Sequence, residues 1–268
     1  MHALLIRLRL ATITTSRKDK YITDATIAAN GAAADAGRWV NTLWPADALR
    51  PIRTAEANLR AHTYQKTSPF SDTGERLLPS AKFFDFMEKY RALESERAAK
   101  TQEFLDRYDH WLREAAAMRG TLNNPDDYPT VSEAARSFRC TLEHKALPAV
   151  EHLPDELRHV EELKASVQSQ IDEGIATAKR DISMRIIKPL EAFLDRAHSD
   201  PSTITAATVK PIGEIADIVA DLDFDGTYTA TIAALRALHL DPAALRTEDW
   251  HLSQAKRAVD DILTNFLP

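Results

Sequence analysis

The longest periodic segment of the chain is residues 160–193, VEELKASVQSQIDEGIATAKRDISMRIIKPLEAF. The apolar residues that recur along it are Val160, Leu163, Val167, Ile171, Ile175, Ala178, Ile182, Ile186, Leu190 and Phe193. Their average spacing of about 3.7 residues is close to the ~3.6 of a straight α-helix and above the ~3.5 of a left-handed coiled coil. The pattern therefore predicts one long helix over 155–198 that packs within a bundle, with a kink at Pro189.

A second long helix is predicted over residues 80–119. Apolar and aromatic side chains from Phe83 to Ala115 recur there at helical spacing. Gly120 follows the pattern, where a helix commonly ends because glycine adopts positive φ without steric cost. Further on, Thr130 and Glu133 have the spacing of a capping box and predict the start of a short helix.

Shorter helices are predicted on either side of these two. Residues 24–62 have a helical pattern in two or three pieces, with Pro45 and Pro51 as breaks. Residues 63–79 are predicted to form a loop, because they contain Pro69, Gly74 and Pro79. The helices predicted after residue 200 are roughly 204–222, 228–239 and 248–266.

Two segments alternate with period two and predict strands, residues 3–13 and 137–143. The predicted fold class is therefore α+β and strongly helix-dominated, a long-helix bundle with a small antiparallel sheet. In this interpretation residues 1–150 form a basic-leaning region of strands and helices. Residues 151–268 form a helical region packed as one unit.

The composition of the chain argues against several classes of function. The chain has 7 glycines in 268 residues, where average usage of about 7 % would give roughly 19. Phosphate-binding loops depend on glycine, and no GxxxxGK[ST], GxGxxG or GxSxG string occurs. One cysteine excludes an intramolecular disulfide. No apolar run approaches the ~20 residues of a membrane span, so we expect a cytoplasmic protein with no cofactor and no membrane partner.

Charge is unevenly distributed along the chain. Residues 1–74 hold 10 Lys/Arg and 6 Asp/Glu, whereas the remainder holds 24 and 34. The basic side chains singled out as candidate contacts to single-stranded nucleic acid are Arg7, Arg9, Arg17, Lys18 and Lys20. Trp39, Trp44, His62 and Tyr64 lie in the same third, and phosphates need cations while bases need rings. A solvated strand face is the alternative interpretation.

An acidic string, Asp223-Phe224-Asp225-Gly226-Thr227, matches the nucleophile motif of haloacid-dehalogenase-type phosphatases. Only 41 residues follow it and they have a helical pattern, so the α/β domain that this chemistry requires is missing. Starting from Asp221, the same stretch resembles a calcium loop, but its twelfth position is Ile232 rather than glutamate. The favoured interpretation is a helix end, an acidic turn and a new helix start.

Two further sets of residues are candidates for metal binding and nucleophilic chemistry. His152, Glu156 and His159 have the i, i+4, i+7 spacing of one helical face, but Pro154 indicates that His152 precedes the helix. Cys140 lies on the apolar face of the predicted strand, which favours a small buried side chain over a nucleophile. We therefore predict no metal site and no catalytic residue.

Several short motifs occur in a familiar order: Arg60-Ala61-His62-Thr63-Tyr64, Thr67-Ser68-Pro69-Phe70, Asp72-Thr73-Gly74-Glu75-Arg76-Leu77-Leu78-Pro79, Phe104-Leu105-Asp106-Arg107-Tyr108, Asp127-Tyr128-Pro129, Phe138 and Leu147-Pro148. Over residues 3–150 the chain resembles a family of uncharacterised proteins encoded by tailed phages and prophages. It departs from the family at Phe70, where a tryptophan is expected. The resemblance implies a mobile-element setting and a host-cell cytoplasmic location, and it implies no chemistry.

Three functional hypotheses follow. The first is a non-catalytic interaction or assembly protein that associates with itself or another protein through its long helices. The second is a nucleic-acid-binding accessory protein of recombination or replication that uses the basic N-terminal third. The third is an enzyme with dispersed residues, such as Asp126, Asp127 and His144 around one cleft.

Overall fold

The computed structural model describes residues 3–149, 154 and 160–264, and within them the fold is α+β and helix-dominated, as predicted. The helices are α1 (Lys20–Ala29), α2 (Ala46–Lys66), α3 (Phe83–Asp106), α4 (Tyr108–Arg119), α5 (Val131–Ser137), α6 (Glu161–Ser199), α7 (Ala206–Leu222), α8 (Thr229–Ala237), α9 (Pro242–Thr247) and α10 (Asp249–Thr264). The strands are β1 (Ala3–Ala11), β2 (Ser16–Asp19), β3 (Trp39–Thr42), β4 (Ser68–Pro69), β5 (Arg76–Pro79) and β6 (Arg139–Ala146). Among the described residues, no helix is long and apolar enough to cross a membrane.

The chain divides into two compact units, each made of separate segments. Unit 1 comprises Met1–Arg7, Thr63–Met87 and Glu143–Pro268, and unit 2 comprises Leu8–His62 and Glu88–Leu142. Residues 151–268 thus belong to one unit, whereas residues 1–150 are shared between the two.

The four-stranded sheet is antiparallel and has the order β4-β5-β1-β6. The predicted pairing of the first strand with residues 137–143 is confirmed, because β1 and β6 are neighbours. Their bounds differ from the predicted 3–13 and 137–143, since β1 ends at Ala11 and β6 extends to Ala146. On its other side β1 pairs with β5, which the sequence analysis had placed in a loop.

The core of unit 1 is built around α6. The C-terminal part of its apolar stripe is buried as predicted, with Ile182, Ile186, Leu190 and Phe193 fully enclosed against side chains of α7, α8 and α10. Leu163, near the start of the helix, is only half-buried. The helix begins at Glu161 rather than at 155, and residues 155–159 lie outside the described part of the chain.

The aromatic core of unit 2 lies where one predicted long helix is in fact two helices. The helix predicted over 80–119 is a 3-10 turn followed by α3 and α4, which are separated at Arg107 with φ −105° and ψ 20°. Phe104 and Tyr108, on either side of the break, both pack against the Trp44 ring, with centroids 5.5 Å from it. Because the aromatic spacing continues through the break and no glycine or proline interrupts it, the pattern predicted one helix.

Three further predictions concern local breaks and caps. Pro51 lies inside α2 rather than between two helices, because the missing N–H removes only one hydrogen bond near the start of a 21-residue helix. The loop predicted over 63–79 instead contains the end of α2 and the short strands β4 and β5. The predicted capping box is confirmed, since Thr130 and Glu133 exchange both hydrogen bonds.

Candidate interaction site

Residues 16–42 of unit 2, which we call the arm, are mostly exposed. It consists of β2, α1, the loop 30–38 and β3, and β2 pairs antiparallel with β3 from Ser16 opposite Thr42 to Asp19 opposite Trp39. Although β2 is made of four polar residues, its hydrogen bonds with β3 make it a strand. The arm is therefore a two-stranded ribbon with a helix between its strands.

Asp19 connects the ribbon to the helix. Its Oδ1 accepts a hydrogen bond from the Ile22 amide at 3.0 Å, which caps the N-terminus of α1. Its Oδ2 accepts from Asn41 Nδ2 at 3.0 Å, and Asn41 Oδ1 accepts from Trp39 Nε1 at 2.7 Å. The Trp39 amide donates to Thr23 Oγ1 at 2.8 Å. This network fixes the Trp39 ring relative to α1.

Apolar side chains on the arm are left exposed. None of the ten residues of α1 is buried. Tyr21 is 84 % exposed, Trp39 45 % and Val40 48 %. A cleft of about 290 Å³ lies between α1 and the 30–38 loop and is lined mainly by apolar atoms, including those of Ile27 and Trp39. An exposed apolar surface on ordered elements is typical of a contact site for another molecule.

Three of the five predicted basic contacts lie on the arm. Arg17 donates to the Asp127 carboxylate at 3.1 Å and to the Asp126 carbonyl oxygen at 3.3 Å, so it is engaged within unit 2. Lys18 and Lys20 are exposed, and Lys18 lies opposite Val40 in the ribbon. Lys18 and Lys20 therefore lie exposed near Tyr21 in the chain, whereas Arg17 is held in an ion pair within unit 2.

Arg7 and Arg9 lie on β1 and belong to different units. Arg7 is half-buried and lines a small pocket with Glu75 and His144. A hydrogen bond from Lys145 holds the pKa of Glu75 below its ordinary value against the effect of burial, and the charge of Arg7 contributes. Arg7 therefore faces a carboxylate, whereas Arg9 is exposed in unit 2.

The acidic string after α7 has the structure predicted for it, a turn between two helices. Asp221 accepts from Lys66 at 2.5 Å and from Lys82 at 2.8 Å, and Asp225 accepts from Lys179 at 2.7 Å. Burial alone would raise the pKa values of the Asp221 and Asp225 carboxyls, but the hydrogen bonds and charges of these lysines lower them below the ordinary range. Each carboxylate thus already neutralises a lysine of the same unit.

The residues of the dispersed-enzyme hypothesis have local contacts. Asp127 pairs with the buried Arg119 at 2.9 Å as well as with Arg17. His144 lies in unit 1 with its ring 6.1 Å from that of Phe83. No group of three or more potential metal ligands occurs among the described residues, and the weighed set His152, Glu156 and His159 lies outside them.

Cys140 is half-buried on β6, with its Sγ 3.4 Å from the Tyr90 hydroxyl. Burial raises the pKa of the thiol above its ordinary value, the Tyr90 hydrogen bond opposes this, and the charge of Glu94 adds to it. Since the thiolate is the nucleophile, the environment suppresses rather than activates the thiol.

We expect Cys140 to react slowly with a thiol reagent at pH 7 in the folded protein and rapidly in denaturant, measured against free N-acetylcysteine. Because the folded thiol keeps its proton to higher pH than the unfolded one, stability should fall as pH rises past the ordinary thiol pKa of 9.0. Labelling of the native protein as fast as N-acetylcysteine would contradict this account.

Sequence reasoning named Trp39 but missed Tyr21, and it treated Trp44 and Tyr64 as equivalent rings. Trp44 is buried in the core of unit 2, whereas Tyr64 is covered on one face by the Arg76 guanidinium, 4.6 Å from the ring centroid. The position of Tyr21 next to Lys20, directly after a charged strand, was the available signal.

Comparisons of the chain with models of known protein families, with curated protein sequences and with solved structures gave no match. The candidate site is therefore defined by its own geometry, and the resemblance to phage and prophage proteins stays a prediction.

Proposed function

We propose that the protein is a non-catalytic interaction protein that associates with further copies of itself, and that the arm is its contact surface. The observation that carries this proposal is the combination of an ordered helix with no buried residue, the exposed Tyr21 ring on that helix and the exposed Trp39 ring at the start of β3. Aromatic side chains dominate the binding energy of protein interfaces, because they bury a large area at little conformational cost.

The hydrogen bonds of the arm support the same proposal. Asp19, Asn41 and Thr23 hold Trp39 in one orientation before any partner binds. A contact surface that is ordered in advance loses less conformational entropy on association. An unstructured loop with the same rings would bind more weakly.

The arm replaces the long helices as the proposed contact surface. Apolar residues of α6 are already buried in the core of unit 1, where Ile182, Ile186 and Leu190 have no exposed area. A stripe that is already covered by the same chain has little apolar area left to bury against a partner.

A second copy of the chain is the proposed partner because the charges are complementary. Residues 1–74 have four more basic than acidic side chains, and the remainder has ten more acidic than basic ones. Copies of such a chain attract each other when the N-terminal third of one meets the remainder of another.

The test is the mass in solution as a function of protein concentration. We expect the wild-type chain to exceed its monomer mass of 29.9 kDa. Tyr21→Ala should weaken association at least about tenfold, because loss of an aromatic anchor costs on the order of 2 kcal/mol. Phe84→Ala is the matched control, since Phe84 is 81 % exposed but lies outside the arm. A monomeric wild type, or a Tyr21→Ala variant that assembles normally, would overturn the proposal.

A second candidate function is binding of single-stranded nucleic acid. It is favoured by Lys18 and Lys20 beside Tyr21 and Trp39, since cations contact phosphates while rings stack on bases. Fluorescence anisotropy of a labelled oligonucleotide at two salt concentrations tests it. Lys18→Gln/Lys20→Gln should reduce the log–log salt slope by about 2 if both lysines contact phosphates. An unchanged slope would dismiss this candidate.

The biological setting belongs to the same proposal. We propose that the protein acts in the cytoplasm of a bacterial host, and the resemblance of its motif order over residues 3–150 to phage and prophage proteins supports this setting. Fractionation of cells that express the chain, with and without the phage, would test this setting.

A further inference from the structure

A cleft in unit 1 lies between the 238–241 linker, α9 and α10. It has a volume of about 860 Å³. Its apolar lining includes Leu240, Ala244, Ala255 and Ala258. Because three of these side chains are alanines, α9 and α10 leave a depression between them rather than a closed contact. We call this cleft the groove.

Acidic side chains line part of the groove. Asp241 and Glu248 line it and are exposed, and Glu248 Oε2 lies 3.2 Å from His251 Nε2. No lysine or arginine is among the described residues that line it. Trp250, beside the groove at the start of α10, is 65 % exposed. The groove thus combines apolar side chains with two carboxylates, and two histidines also line it.

The arm has the opposite character. Tyr21 is largely exposed and follows the exposed Lys18 and Lys20 in the chain, and Arg38 precedes Trp39 at the far end of the loop. An aromatic anchor that follows two exposed lysines is complementary to a cleft that contains apolar side chains and carboxylates.

We infer that the groove of one copy receives the arm of a second copy, with Tyr21 against its alanine side chains and Lys18 and Lys20 near Glu248 and Asp241. This inference rests on the proposed self-association and adds its geometry. Since the two surfaces differ, the contact is head-to-tail and joins copies into rings or open chains rather than symmetric dimers.

Two variants separate the halves of the contact. The arm variant is Tyr21→Ala/Lys18→Glu/Lys20→Glu. The groove variant is Glu248→Lys/Gln254→Lys, and both changed side chains are exposed. Glu214→Lys/Gln168→Lys is the control, because it makes the same change in charge at exposed positions outside the groove. Circular dichroism and thermal melts establish that each variant is folded.

We expect each variant alone to be monomeric and an equimolar mixture to form a heterodimer of about twice 29.9 kDa. The heterodimer arises because the arm variant retains an intact groove and the groove variant an intact arm. Higher salt should weaken it. The control should assemble like the wild type.

Other outcomes overturn the inference in distinguishable ways. If the groove variant keeps the wild-type mass while the arm variant is monomeric, the proposed function stands and the groove is not the receptor. If the mixture stays monomeric, the arm and groove do not meet. If the wild type is itself monomeric, the proposed self-association and the inference both fail.

Discussion

Replacement of Arg97 by methionine is expected to lower the free energy of unfolding by about 3–5 kcal/mol, because it leaves a buried charge without its partner. Arg97 Nε and Nη2 donate to Glu56 Oε1 at 3.0 and 2.8 Å, and Nη2 also donates to the Ala11 carbonyl oxygen at 2.9 Å. Both side chains are only 5 % exposed. Within the described part of the chain, the other cation paired with Glu56 is Arg60, at 4.0 Å, which is too distant for a good hydrogen bond.

The matched control is Lys100→Met. Lys100 pairs with Glu103 at 2.8 Å on the same helix, but both side chains are exposed. Loss of an exposed pair changes stability by about 0–1 kcal/mol. Urea unfolding followed by circular dichroism measures both. The double variant Arg97→Met/Glu56→Leu should recover most of the loss, because no unpaired charge remains. An Arg97→Met variant as stable as Lys100→Met would show that Glu56 is hydrated.

The secondary structure and buried face of long periodic segments were predictable, because both follow from the local spacing of apolar residues. The stripe of α6 identified Ile182, Ile186 and Leu190 as core residues. The alternation in β1 and β6 identified both segments as strands. In each case the side chains that share a face follow from the backbone geometry alone.

The short strands β2 and β5 could not be predicted, because no local alternation of apolar and polar residues marks them. The four residues of β5 contain three buried side chains in succession, Leu77, Leu78 and Pro79, so no alternation marks them. The polar β2 is a strand because of its hydrogen bonds to β3, which lies about 20 residues away. Such pairing depends on partners that a local pattern does not contain.

The candidate site was half predictable. The sequence showed cations and rings in its first third, but not which rings are exposed. Trp44 and Trp39 are only five residues apart, yet one is in the core of unit 2 and the other is nearly half exposed. Whether a ring is exposed depends on which other parts of the unit cover it. In the same way, Arg17 is not a free cation of the arm, because it forms an ion pair with Asp127, which is distant in sequence.

Gly174→Ala is expected to destabilise unit 1 by about 1–3 kcal/mol, although the same change inside an exposed helix stabilises by roughly 0.5–1 kcal/mol. The sign reverses because Gly174 lies on α6 directly under the Phe70 ring. A Cβ atom there would be 2.3 Å from Phe70 Cε2 and 2.6 Å from Cδ2 and Cζ. Phe70 is itself buried against Leu5 and Leu77, so the ring cannot move aside without disturbing its neighbours.

Gly213→Ala is the control, because Gly213 is also inside a helix of unit 1 and nothing lies within 4 Å of its added Cβ. It should raise the free energy of unfolding while Gly174→Ala lowers it. The double variant Phe70→Leu/Gly174→Ala identifies the cause. Since leucine lacks the ring atoms that clash, Gly174→Ala should cost less in that background, and the difference is the coupling between the two positions. If Gly174→Ala stabilises the protein as Gly213→Ala does, the ring does not pack on α6 at this glycine.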